Sequence, residues 1–179
     1  MADALSRAVF LDRDGTIMRD VDYCGDPENV HVFEGVTAAL RKLKDRGYKL
    51  LVITNQSGIG RGYFTEEQYR AVEGEVSRQV GTGLIDATYF CPHRPDVSCK
   101  CRKPSPEMIL RAALEHNLDL AGSFFVGDKK SDIECGRNAG VKTVLVRTGY
   151  GQEVSKSFSD FVARDLVEAT NIIVDCPNE

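Results

Sequence analysis

In Ala8-Val9-Phe10-Leu11-Asp12-Arg13-Asp14-Gly15-Thr16, four apolar residues run straight into two carboxylates. This is the pattern of a buried strand handing acid groups to its C-terminal end, where ligands bind in an open parallel α/β sheet. Asp12 and Asp14 are two apart, so on extended backbone both point to one side. Gly15 lets the chain turn sharply, and Thr16 adds a hydroxyl. Two close carboxylates can hold a divalent cation, share a proton, or divide into nucleophile and general acid. A polar strand end with a plain Asp-Gly turn is the alternative.

Strand and helix patterns alternate downstream. Lys49 to Thr54, Ala87 to Phe90, Ser123 to Val126 and Thr143 to Val146 read as further buried strands, and Phe161 to Ala163 as a short edge strand. Val36, Leu40 and Leu43 share a helical face that Gly47 ends. Thr65 to Gln68 is a capping box that opens a helix with Tyr69, Val72, Val76 and Val80 at helical spacing. Ser105 is an N-cap with Pro106 at the first helical position, and that helix runs to about His116. A short helix covers about Ser131 to Asn138, and Asp165 with Glu168 caps a last one. The alternation predicts an α/β fold: a three-layer, doubly wound parallel sheet in one domain, residues 1–179. Two long connections, Ile17 to Glu34 and Cys91 to Pro104, are expected to shape a pocket at the strand ends.

Apolar residues make up 42% of the 179, enough for one domain with a full core. A formal charge of −4 leaves no basic footprint for nucleic acid. No apolar run nears the ~18 residues that span a bilayer. Met1 to Arg7 lacks the charged-then-apolar order of a leader peptide. The expectation is a cytoplasmic protein with no membrane or nucleic-acid partner. Cys24, Cys135 and Cys176 are scattered and read as packing residues or plain thiols. Cys91, Cys99 and Cys101 instead crowd together with His93. Three thiols and an imidazole suit tetrahedral zinc with no coordination position left open, hence a structural site. Such a zinc would lock the loop 91–104 and aim Arg102 and Lys103, which follow the last ligand.

Polar groups recur at the strand ends. The second strand ends in Thr54-Asn55-Gln56-Ser57-Gly58, and the fourth in Gly127-Asp128-Lys129-Lys130-Ser131-Asp132. In a parallel sheet these ends share one edge, so they can converge on Asp12 and Asp14. Thr54 offers a hydroxyl and neighbouring amides to phosphoryl oxygens. Lys103 supplies a fixed positive charge, and Asp128 a further carboxylate for a hard cation. Magnesium takes oxygen ligands and keeps several waters, so few protein carboxylates suffice to hold it.

Asp12-x-Asp14-Gly15-Thr16, Thr54, Lys103 and Gly127-Asp128-x-x-x-Asp132 together resemble the haloacid dehalogenase (HAD) superfamily of phosphatases over roughly residues 7–150. The resemblance implies that Asp12 attacks phosphorus and that Asp14 serves the leaving oxygen and then the hydrolytic water. Magnesium would sit on the Asp12 carboxylate, the Asp14 main-chain carbonyl and Asp128. Thr54 and Lys103 would steady the phosphoryl group, and Asp132 would support the metal waters or a lysine. A receiver domain, or a zinc-stabilised binding module without turnover, is a reading of another class. Asp14 argues against both, since a phosphate acceptor alone needs no leaving-group acid.

Within the superfamily the chain lacks a large cap insertion. It is most similar to the D-glycero-D-manno-heptose 1,7-bisphosphate phosphatases. The stretches that carry this are Phe10 to Ile17, Thr54 to Gly62, Cys91-Pro92-His93, Cys99 to Pro104, Val126 to Lys129 and Leu145 to Gly149. The likeness implies a small phosphorylated sugar as substrate, hydrolysed at its 7-phosphate on the way to nucleotide-activated heptose, and an enzyme expected to work as a monomer. Asp20, Val21, Asp22 and Tyr23, with Thr54, Asn55, Gln56 and Ser57, would contact substrate, as would Arg61, Arg102, Lys103 and Lys129. The short gap between His93 and Cys99 also resembles the histidinol-phosphatase domain, the second reading; Arg61 favours the first, because an extra cation suits a second phosphate.

Overall fold

A computed structural model describes residues 5–177. Met1 to Ala4, part of the stretch read against a leader peptide, lie outside the described residues. Strands β1 (Ala8–Leu11), β2 (Lys49–Asn55), β3 (Ala87–Cys91), β4 (Phe124–Gly127), β5 (Lys142–Val146) and β6 (Phe161–Ala163) form one sheet in the order β3-β2-β1-β4-β5-β6. Every neighbouring pair is parallel. The order reverses at β1 and β4, so the crevice outside their C-terminal ends is the topological switch point.

Period-two alternation builds the three layers. Val9 and Leu11 of β1, Leu50 and Val52 of β2, and Phe124 and Val126 of β4 face one core. Helices α1 (Val36–Asp45), α3 (Glu66–Val80) and α6 (Leu166–Asp175) cover that side. Ala8, Phe10, Leu51, Ile53 and Phe125 face the other core. There α4 (Glu107–His116) and α5 (Lys130–Ala139) pack with Met108, Ile109, Ala112 and Cys135. Strands buried on both faces explain the unbroken apolar runs in the sequence.

The helix signals act as read. Thr65 Oγ1 accepts from Gln68 N while the Gln68 side chain accepts from Thr65 N. Asp165 accepts from Glu168 N at 2.9 Å. Gly47 takes a left-handed turn after α1, with φ +81°. Two boundaries differ. Pro106 is itself the cap residue of α4, and Ser105 accepts from Glu107 N at a long 3.4 Å. Residues Ser57–Gly60, for which the sequence predicts no element, form one helical turn, α2. The long connections carry a short 3-10 turn, Pro27–Asn29, and the cysteine loop. Among the described residues no helix is long and apolar enough to cross a membrane.

Candidate active site

The chain leaves β1 in a tight loop. Asp12 N still donates to Val126 O, which extends the ladder by one residue. The Arg13 carbonyl then accepts from Thr16, Ile17 and Met18 N, closing the turn. Gly15, at φ +87°, sits against Asp128: a Cβ there would stand 2.4 Å from Asp128 Oδ2. A Cβ on Gly149, at φ +54°, would meet the same oxygen at 2.1 Å. Two glycines therefore cradle one carboxylate.

The expected residues converge. Asp12, Asp14, Thr54, Lys103, Lys129 and Asp132 border one small cavity at the floor of the switch-point crevice. Lys103 Nζ donates to Asp12 Oδ1 and Ile53 O, both at 2.7 Å, and lies 2.8 Å from Asp132 Oδ1. Asp132, at the start of α5, also accepts from Lys129 N at 2.9 Å. Asp132 thus supports a lysine. Burial alone would raise the Asp12 carboxyl, but the charges of Lys103 and Lys129 outweigh it and hold it below its ordinary value. Burial also opposes the charge on Lys103, yet Asp12 and Asp132 keep its pKa above that of a free lysine.

Asp128 is fully buried; Oδ2 accepts from Tyr150 N at 2.8 Å, and Oδ1 has no hydrogen-bond partner. Burial, and then the Asp12 charge, push its carboxyl up to about 8. A buried oxygen with a free lone pair, beside a second carboxylate, suits a hard cation that would take the place of that proton. One oxygen each from Asp12, Asp128 and Asp132 lies within 4.8 Å of the others. The Asp14 side chain is not in that group. It faces the same cavity but accepts from Arg13 and Gln56. This accords with a carbonyl, rather than a carboxylate, as its contribution to a cation.

Above the floor opens a cleft of about 310 Å³. Asp20, Asp22, Tyr23, Ser57, Arg102 and Lys129 line it. Lys129 Nζ pairs with Asp20 Oδ2 at 3.0 Å. Asn55 and Gln56 also reach the cleft, but their amides are engaged elsewhere. Asn55 holds the Lys103 backbone from both sides, accepting from its N and donating to its O. Gln56 donates to Asp14 Oδ2 and Thr54 Oγ1, both at 2.9 Å. Val21 and Arg61 are not among the lining residues. The Arg61 guanidinium stands 5.8 Å from the Tyr23 ring centre, and Tyr23 meets Tyr63 edge-on at 4.8 Å. Tyr150 and Ser131 line the cleft without having been singled out, because nothing in their local sequence distinguishes them from loop residues. Cys24, read as a packing thiol, borders the cleft too.

Cys91, His93, Cys99 and Cys101 gather at the end of β3. Their ligand atoms lie 3.7 Å (Cys91–Cys99), 3.8 Å (Cys99–Cys101), 3.5 Å (Cys91–His93) and 3.2 Å (His93–Cys101) apart. Zinc–sulfur bonds of about 2.3 Å give tetrahedral edges of about 3.8 Å, so these spacings fit. The 2.9 Å between Cys91 and Cys101 is the shortest of these spacings, and a metal would open it. The loop also grips its neighbours. Gln56 N donates to Cys91 O, Gly60 N to Pro92 O, and Arg102 Nη1 to His93 O.

Comparison with known proteins places this geometry. Residues 100–169 match the family described as HAD-hyrolase-like. The chain is 44% identical over 174 residues to the D-glycero-beta-D-manno-heptose-1,7-bisphosphate 7-phosphatase of Haemophilus ducreyi, covering 90% of this chain and 95% of that protein. It is 45% identical over 152 residues to the same-named protein of Yersinia pestis, covering 79% and 81%. The crystal structure of the D,D-heptose 1,7-bisphosphate phosphatase from B. bronchiseptica, complexed with magnesium and phosphate, superposes with a TM-score of 0.87 at 31% identity, covering 94% of this chain and 98% of that one. With two carboxylates past β1, a threonine in the last residues of β2, a buried lysine and a glycine-cradled aspartate past β4, the chain belongs to the HAD-like phosphatases, in the family of the heptose 1,7-bisphosphate 7-phosphatases.

Proposed function

We propose that the chain removes the 7-phosphate of D-glycero-D-manno-heptose 1,7-bisphosphate through an aspartyl-phosphate on Asp12. The observation that carries this is Lys103, which is buried and bonded to the Asp12 carboxylate beside the unpartnered Asp128 oxygen. An Asp12 oxygen attacks phosphorus in line, the P–O ester bond breaks, and Asp14 gives its proton to the leaving sugar oxygen. Asp14 then takes a proton from water as that water attacks the aspartyl-phosphate. The Asp12–phosphorus bond breaks, and inorganic phosphate leaves. Thr54 Oγ1 accepts from Gln56, so its own hydroxyl proton is free for a phosphoryl oxygen. Asp12, Asp128 and the Asp14 carbonyl would hold magnesium, which offsets the repulsion between a carboxylate and a phosphate dianion. Arg102 and Lys129 supply charge for the sugar and its second phosphate.

The four-residue cluster is read as structural zinc, with no open coordination position. The enzyme is inferred to be a cytoplasmic monomer, one domain over residues 1–179, acting on a small phosphorylated sugar without a nucleic-acid or membrane partner. Its charge of −4 supports the lack of a nucleic-acid partner. The test is a rate comparison with magnesium present, using both anomers of heptose bisphosphate and histidinol phosphate. A kcat/KM for one heptose anomer at least tenfold above that for histidinol phosphate is the expected outcome, in line with specificity set by a second charged group. A preference for histidinol phosphate would replace the substrate while leaving the chemistry in place.

A further inference from the structure

Arg13 stands between the two acids in sequence, yet its side chain leaves the crevice. Among the described residues it is the largest side chain that is fully buried. Nη1 reaches α3 and donates to Glu73 Oε1 at 2.9 Å. Nε and Nη2 turn back and donate to the two oxygens of Asp14, at 3.2 and 3.0 Å. The guanidinium also lies 5.6 Å from the centre of the Tyr69 ring, one helical turn before Glu73. A planar fork gripping both oxygens of a carboxylate fixes its tilt as well as its place. The fork can do so only if its far edge is itself held, and Glu73 is the side chain that holds it. Asp14 needs such help. Its side chain is 16% exposed, on a turn outside the sheet whose backbone makes one isolated bridge, to Met18.

We propose that Glu73 and Arg13 are a positioning pair for Asp14: Glu73 anchors the guanidinium to α3, and Arg13 keeps the Asp14 carboxylate turned toward the leaving oxygen. The proposal rests on the reading of Asp14 as proton donor. Glu73 makes a clean probe because it borders a separate groove of about 340 Å³ between α3 and β3, which holds none of Asp12, Thr54 or Lys103. Changing it therefore removes no substrate contact.

Leaving-group selectivity is the test. A sugar phosphate leaves as an alkoxide and needs a proton, whereas p-nitrophenyl phosphate leaves as a stabilised phenolate and does not. In the full chain with magnesium, Glu73→Ala is expected to lose roughly tenfold in the single-turnover rate of sugar release from heptose bisphosphate, with KM within about twofold, and less than about threefold in single-turnover nitrophenolate release, both read before the shared hydrolysis of the aspartyl-phosphate. Glu73→Gln keeps an acceptor oxygen and should recover most of the loss. Arg13→Lys keeps the charge without the fork and should repeat the selective defect; it carries the test if Glu73→Ala does not fold. Equal losses on both esters, or none, overturn the positioning role; a selective Asp14→Asn variant alongside would show that the donor assignment survives. An Asp14→Asn variant equally impaired on both esters overturns the donor assignment and the pair with it.

Discussion

The carboxylate centre and the cysteine loop are two candidate metal sites built on opposite plans. The first gathers oxygens from Asp12, Asp128 and Asp132, brought together because β1 and β4 are ladder neighbours. All three residues are buried, and glycines at 15 and 149 leave room for nothing larger around Asp128. The second draws four ligands from one short loop, with only Cys91 anchored in a strand and His93 exposed. The sheet keeps the first in shape whether or not a cation is present. The second has only its bonds to α2 and the Arg102–His93 contact to hold it, so a bound metal would add to its order. The two meet through Lys103, which directly follows the loop's last cysteine and a single arginine, and ends against Asp12.

The sharpest way to break this contrast is Asp12→Asn. Loss of a nucleophile within a concerted set is expected to cost at least about 10⁴-fold in kcat. Far-ultraviolet circular dichroism should be unchanged, because the β1 ladder does not use the side chain. A near-native rate would remove Asp12 as nucleophile.

The loop should respond differently. Metal analysis is expected to find about one zinc per chain. Cys101→Ser should lose that zinc and lower kcat roughly 10- to 100-fold by loosening Lys103 and the α2 contacts, with the sheet signal retained. Full activity without zinc would mean that the loop does not aim Lys103. Collapse of the whole fold would mean that the sheet is not self-sufficient.

The smallest effect concerns pH. Asp128 ionises near 8 in the folded, metal-free protein, against an ordinary value of 3.8. Between those values the folded state binds more protons than the unfolded one, so this group's contribution to stability falls as pH rises. Magnesium takes the place of the proton and removes the loss. Thermal melts should therefore show a magnesium-induced rise in Tm that is larger at pH 8 than at pH 5. An equal rise at both would place the cation away from Asp128.

Much of this was legible in the residues themselves. The buried run before Asp12, the Thr65 capping box and the Cys91-to-Cys101 spacing are local patterns whose physics is complete within a few residues, and the structure realises each. What the residues alone leave open falls where a side chain chooses between partners distant in sequence. Asn55 and Gln56 belong to the expected substrate loop, yet their amides steady Lys103, Thr54 and Asp14. Arg61 resembles a phosphate ligand on paper but rests over Tyr23, outside the cleft lining. Arg13 has no role that its neighbours in sequence reveal, and it is buried between Asp14 and Glu73. No periodicity encodes such choices, because they depend on which helix packs beside which strand.

Alone, the amino-acid order determined the alternation of strands and helices, the acids at the end of β1 and the crowding of three thiols and an imidazole in one loop, since each follows from backbone preference or spacing over short range. Tertiary structure decided which carboxylate oxygens gather, which lysine faces Asp12 and how Asp14 is held. Those outcomes depend on angstrom-scale distances between segments of chain tens of residues apart, and only the packed sheet sets them.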